Sequence, residues 1–266
     1  MRAEENIVRV TSKATAGDIL GSVSRALAIL DLLAEAPRGL DIRAITTHFG
    51  MNISTGYHTL NTLRAAGYVL RDPESGRLTL GHKAARLYQG YEMQLGVAPE
   101  IRQVVTELAN ATQECVVLSM FRRGEVIIAE VTDSKEHLRV GGHELGPVGD
   151  LHARAVGKSF LACMDSTFVE RHFAHAPPRA ITKNTLTTLD AIQEDLSRAR
   201  ERGYTLDLEE LNEGVRATGA AFYSWSGEPL GALAVTAPAS RFEAKRDALT
   251  SLVKAAAENV TAALRM

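Results

Sequence analysis

Residues 39–80 run Gly39-Leu40-Asp41, Ile42-Arg43-Ala44-Ile45-Thr46-Thr47-His48-Phe49, Gly50-Met51, then Asn52-Ile53-Ser54-Thr55-Gly56-Tyr57-His58. They close on Tyr68-Val69-Leu70-Arg71, Asp72-Pro73-Glu74-Ser75-Gly76 and Arg77-Leu78-Thr79-Leu80. The first apolar run predicts a short helix over 42–49, Gly50 interrupts it, and a second helix starts at Asn52. The last runs flank a Pro- and Gly-containing turn, which predicts a hairpin. Two helices joined by a tight turn and followed by a β-ribbon describe a winged helix-turn-helix. Such a unit lays its second helix in the DNA major groove.

On that helix the spacing of Ile53, Tyr57, Leu60 and Leu63 predicts the buried side. Asn52, Thr55, His58, Thr59 and Thr62 then face outward, with Ser54 and Asn61 at the flanks. Asn suits adenine, and Ser, Thr and His are smaller donors or acceptors for base edges and phosphates. Tyr57 is expected mainly to pack, with its hydroxyl emerging towards a phosphate. Arg71 and Arg77 border the wing turn and Arg43 lies on the preceding helix. The candidate DNA-binding set is therefore Arg43, Asn52, Ser54, Thr55, Tyr57, His58, Arg71 and Arg77. The competing reading of the same residues is an ordinary polar helix surface beside a hairpin.

Outward from this stretch, residues 1–18 are polar and patternless and read as a mobile arm. Ser22 is the expected cap of a helix with Val23, Leu27, Leu30 and Leu33 on its apolar stripe, closed by Pro37 and Gly39. Residues 81–94 read as a further helix, punctuated by Gly96 and Pro99. This gives an arm (1–18), a winged domain (19–81), a linker helix (82–96) and a second domain (97–266). In the second domain, helices are expected over 97–112, 188–202 and 242–264, and strands over 116–121, 125–132, 215–223 and 229–236. A Gly-rich loop spans 140–149. Strands and helices mix without strict alternation, so the fold class is α+β with an antiparallel sheet.

The 266 residues are 45% hydrophobic and 23% charged with a net charge of −2, so phosphate affinity must come from local Arg and Lys placement. Cys115 and Cys163 form no metal or redox motif. No signal peptide or long apolar run occurs, and a cytoplasmic, soluble protein without membrane contact is expected.

Several of these residues resemble the IclR family of bacterial transcriptional regulators. Residues 22–33 are similar to its opening helix. Leu60-Asn61-Thr62-Leu63, Gly67-Tyr68-Val69 and Leu78-Thr79-Leu80-Gly81 resemble its recognition helix and wing. His152-Ala153 with Gly157-Lys158-Ser159-Phe160-Leu161-Ala162, and Arg202-Gly203-Tyr204 with Asp207, Glu209-Glu210 and Gly214-Val215, are similar to its two later signatures. The resemblance runs from about residue 20 to the C-terminus. It implies a winged domain, a linker helix and an effector domain with a curved antiparallel sheet flanked by helices. It also implies a homodimer or dimer of dimers on operator DNA, answering to a small organic acid, aromatic acids being favoured. Its effector contacts map to Ala155, Val156, Asp207, Val215, Ala217, Ala234 and Thr236. The alternative for the apolar members is plain core packing, and for Asp207 a turn cap. Two departures stand out: Gly56 and His58 replace the family's usual Val and Arg, and Asp150 replaces a proline before Leu151-His152.

No cofactor or metal is implied. His143, His152, His172 and His175 fit no familiar ligand spacing, and Lys158 reads as structural or surface. Nucleophile-elbow, phosphate-loop and zinc-protease motifs are absent, which argues against an enzyme acting on a small acid derivative. A protein–protein adaptor whose winged domain binds no DNA is the other rival.

Overall fold

The computed structural model describes residues 20–134 and 143–264; the expected arm and residues 140–142 of the Gly-rich loop lie outside them. The chain divides into two compact units, Met1–Gln94 and Leu95–Met266.

In the first unit, α1 (Gly21–Ala34) is followed by α2 (Ile42–His48), α3 (Ile53–Ala65), β1 (Val69–Arg71), β2 (Leu78–Leu80) and α4 (His82–Leu95). The β1–β2 pairing is antiparallel with Leu70 opposite Thr79. Asp72 Oδ1 holds the turn by accepting from the backbone N–H of Ser75 at 2.7 Å. Asp41 caps α2 through Ala44 N–H. Ile29, Leu33, Ile45, Leu60, Leu63, Val69 and Leu78 form the core.

Three expectations change here. Ser22 does not cap α1: the N-cap is Leu20, with no side-chain bond. Val23 and Leu27 of the expected stripe are half exposed, and Ile29 and Leu33 carry the burial. The inward face of α3 is rotated, with Gly56, Leu60 and Leu63 buried while Ile53 and Tyr57 stay 47% and 46% exposed. Gly56 explains the rotation. A Cβ there would collide with Thr46 Cγ2 of α2, so the two helices meet where only hydrogen fits.

The second unit starts with α5 (Pro99–Thr112), then β3 (Cys115–Arg122), β4 (Glu125–Thr132) and the short β5 (Gly146–Pro147). It continues with α6 (Ala155–Cys163), α7 (Ser166–His175), α8 (Leu189–Arg202), β6 (Thr205–Leu208), β7 (Val215–Tyr223), β8 (Pro229–Pro238) and α9 (Ala239–Ala263). The six strands order β5-β4-β3-β8-β7-β6, every pair antiparallel. Arg123 and Gly124, both at positive φ, make the β3–β4 turn. Thr188 caps α8 and Gly203 closes it in the left-handed region. Alternation along the strands sends Val117, Ala217, Ala232 and Ala234 to the side of α6; α5 and α9 pack with each other and with the sheet. Neither β6 nor α7 was expected. No helix among the described residues is long and apolar enough to cross a membrane.

Candidate functional site

Each unit holds one group of the residues expected to bind. In the first, α3 begins at Asn52, whose Oδ1 accepts the N–H of Thr55 at 2.9 Å and caps the helix. That bond occupies the side-chain oxygen a base contact would want and leaves the amide NH2 as the outward donor. Ser54, Tyr57 and His58 are exposed and Thr55 is half-buried. Thr59 and Thr62 turn their hydroxyls back onto the carbonyls of Thr55 and His58. Arg43 is exposed on α2.

The two wing arginines differ. Arg71 is exposed and makes one long bond, Nε to Gly76 O at 3.3 Å. Arg77 is engaged inside the domain, donating to Arg38 O at 2.9 Å and to Gly39 O at 2.8 Å. It ties β2 to the loop after α1, a role invisible in the sequence because its acceptors are carbonyls 38 and 39 positions away. Residues 38–86 carry Arg38, Arg43, Arg64, Arg71, Arg77, Lys83 and Arg86 against Asp41, Asp72 and Glu74. This is the basic excess a phosphate backbone requires, within a chain of net charge −2.

In the second unit the structure brings Ala155, Val156, Asp207, Val215, Ala217, Ala234 and Thr236 to the lining of a single cavity. Strand register does this. Asp207 pairs with Ala217 and Ala217 with Thr236, so one rung of the ladder runs across β6, β7 and β8. Gly157 lets the turn at Leu151–Ala153 lie against α6, since a Cβ there would strike the Leu151 backbone. The first turn of α6, which has no side-chain cap, is thereby held at the cavity with its peptide N–H groups available to an anion.

Three titratable side chains line this space, and a fourth, Asp150, acts on one of them. Arg154, the residue before α6, lines it with a buried Nε that has no hydrogen-bond partner. Burial holds its guanidinium below the ordinary value, opposed by Asp150, Asp207 and Glu144. His143 lines it too, both ring nitrogens buried and unpartnered; burial and then Arg154 hold its pKa down. Asp207 Oδ1 accepts from Glu210 N at 2.8 Å, so it caps its turn as well as facing the cavity. Burial raises its carboxyl to about 7. Asp150, at the family's proline position, pairs with Arg179, its Oδ1 accepting from Nε at 2.7 Å. Sequence reading missed Arg154 as a lining group, although it stands between two residues of the His-Ala signature region.

The space itself is narrow, about 20 Å³, enough for roughly one water molecule. As it stands it is too small for the aromatic acid that the resemblance favours.

Lys158 is not at the surface. It is 2% exposed, and its Nζ donates to Asp195 Oδ2 at 2.9 Å, Leu206 O at 2.7 Å and Glu210 Oε1 at 2.6 Å. His152 bonds Arg179 O, His172 sits against Phe168 and Phe173, and His175 bonds Arg171 O. These histidines serve packing and local structure. Among the described residues no three metal-ligating side chains converge.

Comparison with known proteins agrees with both halves. Residues 22–73 match the model of the IclR helix-turn-helix domain, and residues 89–262 match that of the bacterial transcriptional regulator IclR C-terminal domain. The transcriptional regulator XynR of Escherichia coli is 28% identical over 225 residues, covering 85% of this chain and 89% of XynR. The crystal structure of the Thermotoga maritima IclR superposes with a TM-score of 0.76 at 24% identity, covering 92% of this chain and 99% of that one. An IclR homologue from Microbacterium hydrocarbonoxydans, solved in complex with 4-hydroxybenzoate, gives 0.68 at 19% identity, with the same coverage of both chains. The relatives are regulators rather than enzymes, and this chain belongs to the IclR family of bacterial transcriptional regulators.

Proposed function

We propose that this regulator binds operator DNA through α3 and the wing, and that a small organic acid in the cavity beneath α6 modulates that binding. The convergence of seven expected contact residues on one cavity, at an uncapped helix N-terminus, carries the reading. A helix N-terminus favours a carboxylate, and Val117, Ile128, Ala217 and Ala234 supply apolar walls for its body. An aromatic acid remains the first candidate, in line with the 4-hydroxybenzoate held by the homologue. A ring enters only as the lining side chains move apart, so binding and a side-chain rearrangement go together. DNA contacts are assigned to Arg43, Asn52, Ser54, Thr55, Tyr57, His58 and Arg71, with Arg77 contributing through the wing's position. An acid that prefers one arrangement of the protein shifts operator affinity by its differential affinity, whichever the direction.

The protein acts in the cytoplasm as a homodimer or a dimer of dimers. Leu20 at the N-cap and Val23 and Leu27 of α1, 71%, 51% and 55% exposed, form an apolar strip suited to a second copy. A gel-shift titration with the chain's own upstream promoter tests the reading. A shift at low salt that changes with 4-hydroxybenzoate or another small acid is expected. No shift, with or without acids, refutes it. Ala217→Trp is expected to remove the acid response and keep the shift.

A further inference from the structure

Given an acid in the cavity beneath α6, as proposed above, the polar groups around it determine how its charge is held. Arg154 leads into α6 with an extended backbone and makes no side-chain cap. A buried guanidinium nitrogen without a partner is a costly arrangement for a folded protein to keep. The nearby carboxylates do not satisfy it: Asp150 is bound to Arg179, and Asp207 turns Oδ1 to the backbone of Glu210 and Leu211. The orphaned donor and the first-turn N–H groups of α6 border the same space. This is the arrangement a carboxylate completes, with a charge-assisted bond to Arg and backbone donors beside it.

A second carboxyl, Asp207, borders that space on β6. The charged groups acting on it are Glu210, which raises its pKa, and Lys158, which lowers it. Around Arg154 stand Asp150, Asp207, Glu144 and Arg179, and around His143 stand Arg154 and Asp133. A ligand carboxylate beside a buried, ionised Asp207 would place two negative charges in one poorly solvated site, which does not accommodate both.

We infer that Arg154 anchors the carboxylate of the bound acid, and that the acid enters together with one proton, which comes to rest on Asp207. The balance is simple: ligand carboxylate, one solvent proton and ionised Asp207 give ligand carboxylate against protonated Asp207. No covalent bond of the ligand changes. The protonated carboxyl then donates a hydrogen bond to the ligand where the ionised one would repel it. Acid binding therefore tightens as pH falls from above 8 towards 7 and levels off below, where Asp207 already holds its proton.

Isothermal titration of the full chain with benzoate, pyruvate and 4-hydroxybenzoate tests this. The proton count is taken with benzoate or pyruvate, which do not titrate near neutrality, at pH 8 in two buffers of different ionisation enthalpy. Close to one proton taken up per bound acid is expected, with affinity rising by up to about tenfold per pH unit between pH 8.5 and 7.5. Arg154→Gln should weaken binding at least tenfold at every pH, with Arg154→Lys recovering part of it. Asp207→Asn should bind without proton uptake and without pH dependence. Wild-type affinity in a natively folded Arg154→Gln overturns the anchor while the acid reading stands. No uptake by wild type, or uptake persisting in Asp207→Asn, overturns the proton assignment, the latter in favour of His143. If none of the three acids binds wild type, the acid reading falls and this inference falls with it.

Discussion

Replacing Gly56 by Ala sets two physical effects against each other, and the structure assigns the winner. Helix propensity alone favours Ala by about 1 kcal/mol. The added methyl, however, lands on Thr46 Cγ2 across the α2–α3 contact. Thr46 is buried, and its hydroxyl bonds the carbonyls of Ile42 at 2.9 Å and Arg43 at 3.1 Å. Rotating the methyl away breaks those bonds, and parting the helices opens the Leu60 and Leu63 core. Overpacking of this kind costs about 1–3 kcal/mol, so Gly56→Ala should be net destabilising by roughly 1 kcal/mol, or about 4–8 °C in Tm for a domain of this size. Amide hydrogen exchange along α3 reads the first unit's stability without interference from the second. Thr46→Ser supplies the control, because serine keeps the hydroxyl and lacks Cγ2. In that background Gly56→Ala should become stabilising by about 1 kcal/mol, the propensity gain alone. The reasoning is refuted if Gly56→Ala is neutral or stabilising in the wild-type background, or if Thr46→Ser fails to reverse its sign.

The two wing arginines should separate in a salt titration of operator binding. Arg71→Ala should lower the log–log salt slope by about 1 and leave stability unchanged, whereas Arg77→Ala should cost about 1–3 kcal/mol of stability through its lost bonds to Arg38 O and Gly39 O; equal behaviour would contradict the assignment. Lys158→Ala leaves buried Glu210 and half-buried Asp195 without the cation between them, Asp195 keeping Arg202 at 3.6 Å, and urea unfolding should show a loss of about 3 kcal/mol; a loss below about 1 kcal/mol would mean those carboxylates are satisfied by other partners. Asp207 has a folded value near 7, raised above the ordinary 3.8. Its contribution to stability is therefore full below about pH 4 and is lost as pH rises through about 7. The Tm of Asp207→Asn relative to wild type should thus climb between pH 5 and 8, and a constant difference would refute the burial of the charge.

How much of this was legible in sequence depended on whether the cause was local. The hairpin at Arg123-Gly124, the cap at Thr188 and the stop at Gly203 are short-range chemistry, and the observed elements follow them closely. The strands over β7 and β8 carried their own alternation. Failures arose where a distant element decided. The stripe of α3 was read from Ile53 and Tyr57 because both are large and apolar, yet the closest approach comes at the residue with no side chain, Gly56, and that follows from the position of Thr46. β6 is four residues long and buried on both sides, too short to show a period. At the cavity beneath α6, the family resemblance supplied the lining residues, since Ala217 or Ala234 alone is indistinguishable from core. It did not supply Arg154 or the narrowness of the space, which depend on how the turn at Leu151–Ala153 delivers the chain into α6.

Two tasks meet on α6, one turn apart. Its first turn, Ala155 and Val156, borders the cavity; Lys158 follows and reaches through the interior to α8, by Asp195, to β6, by Leu206 O, and to the segment after β6, by Glu210. Glu210 also donates its backbone N–H to Asp207, so the residue that pairs with Lys158 is the one that orients the cavity carboxyl. Such an ionic cluster is weak evidence for stability, because apolar side chains of similar size would often serve as well. What it provides is geometry: the carboxyl on β6 and the start of α6 keep one fixed relation. A displacement of the α6 start, or a change of charge on Asp207, therefore acts on Glu210 and Lys158 together. The cavity is thus joined to α8 both by these charged contacts and by the apolar core that Ile192 and Leu196 of α8 share with Ala155 and Val156.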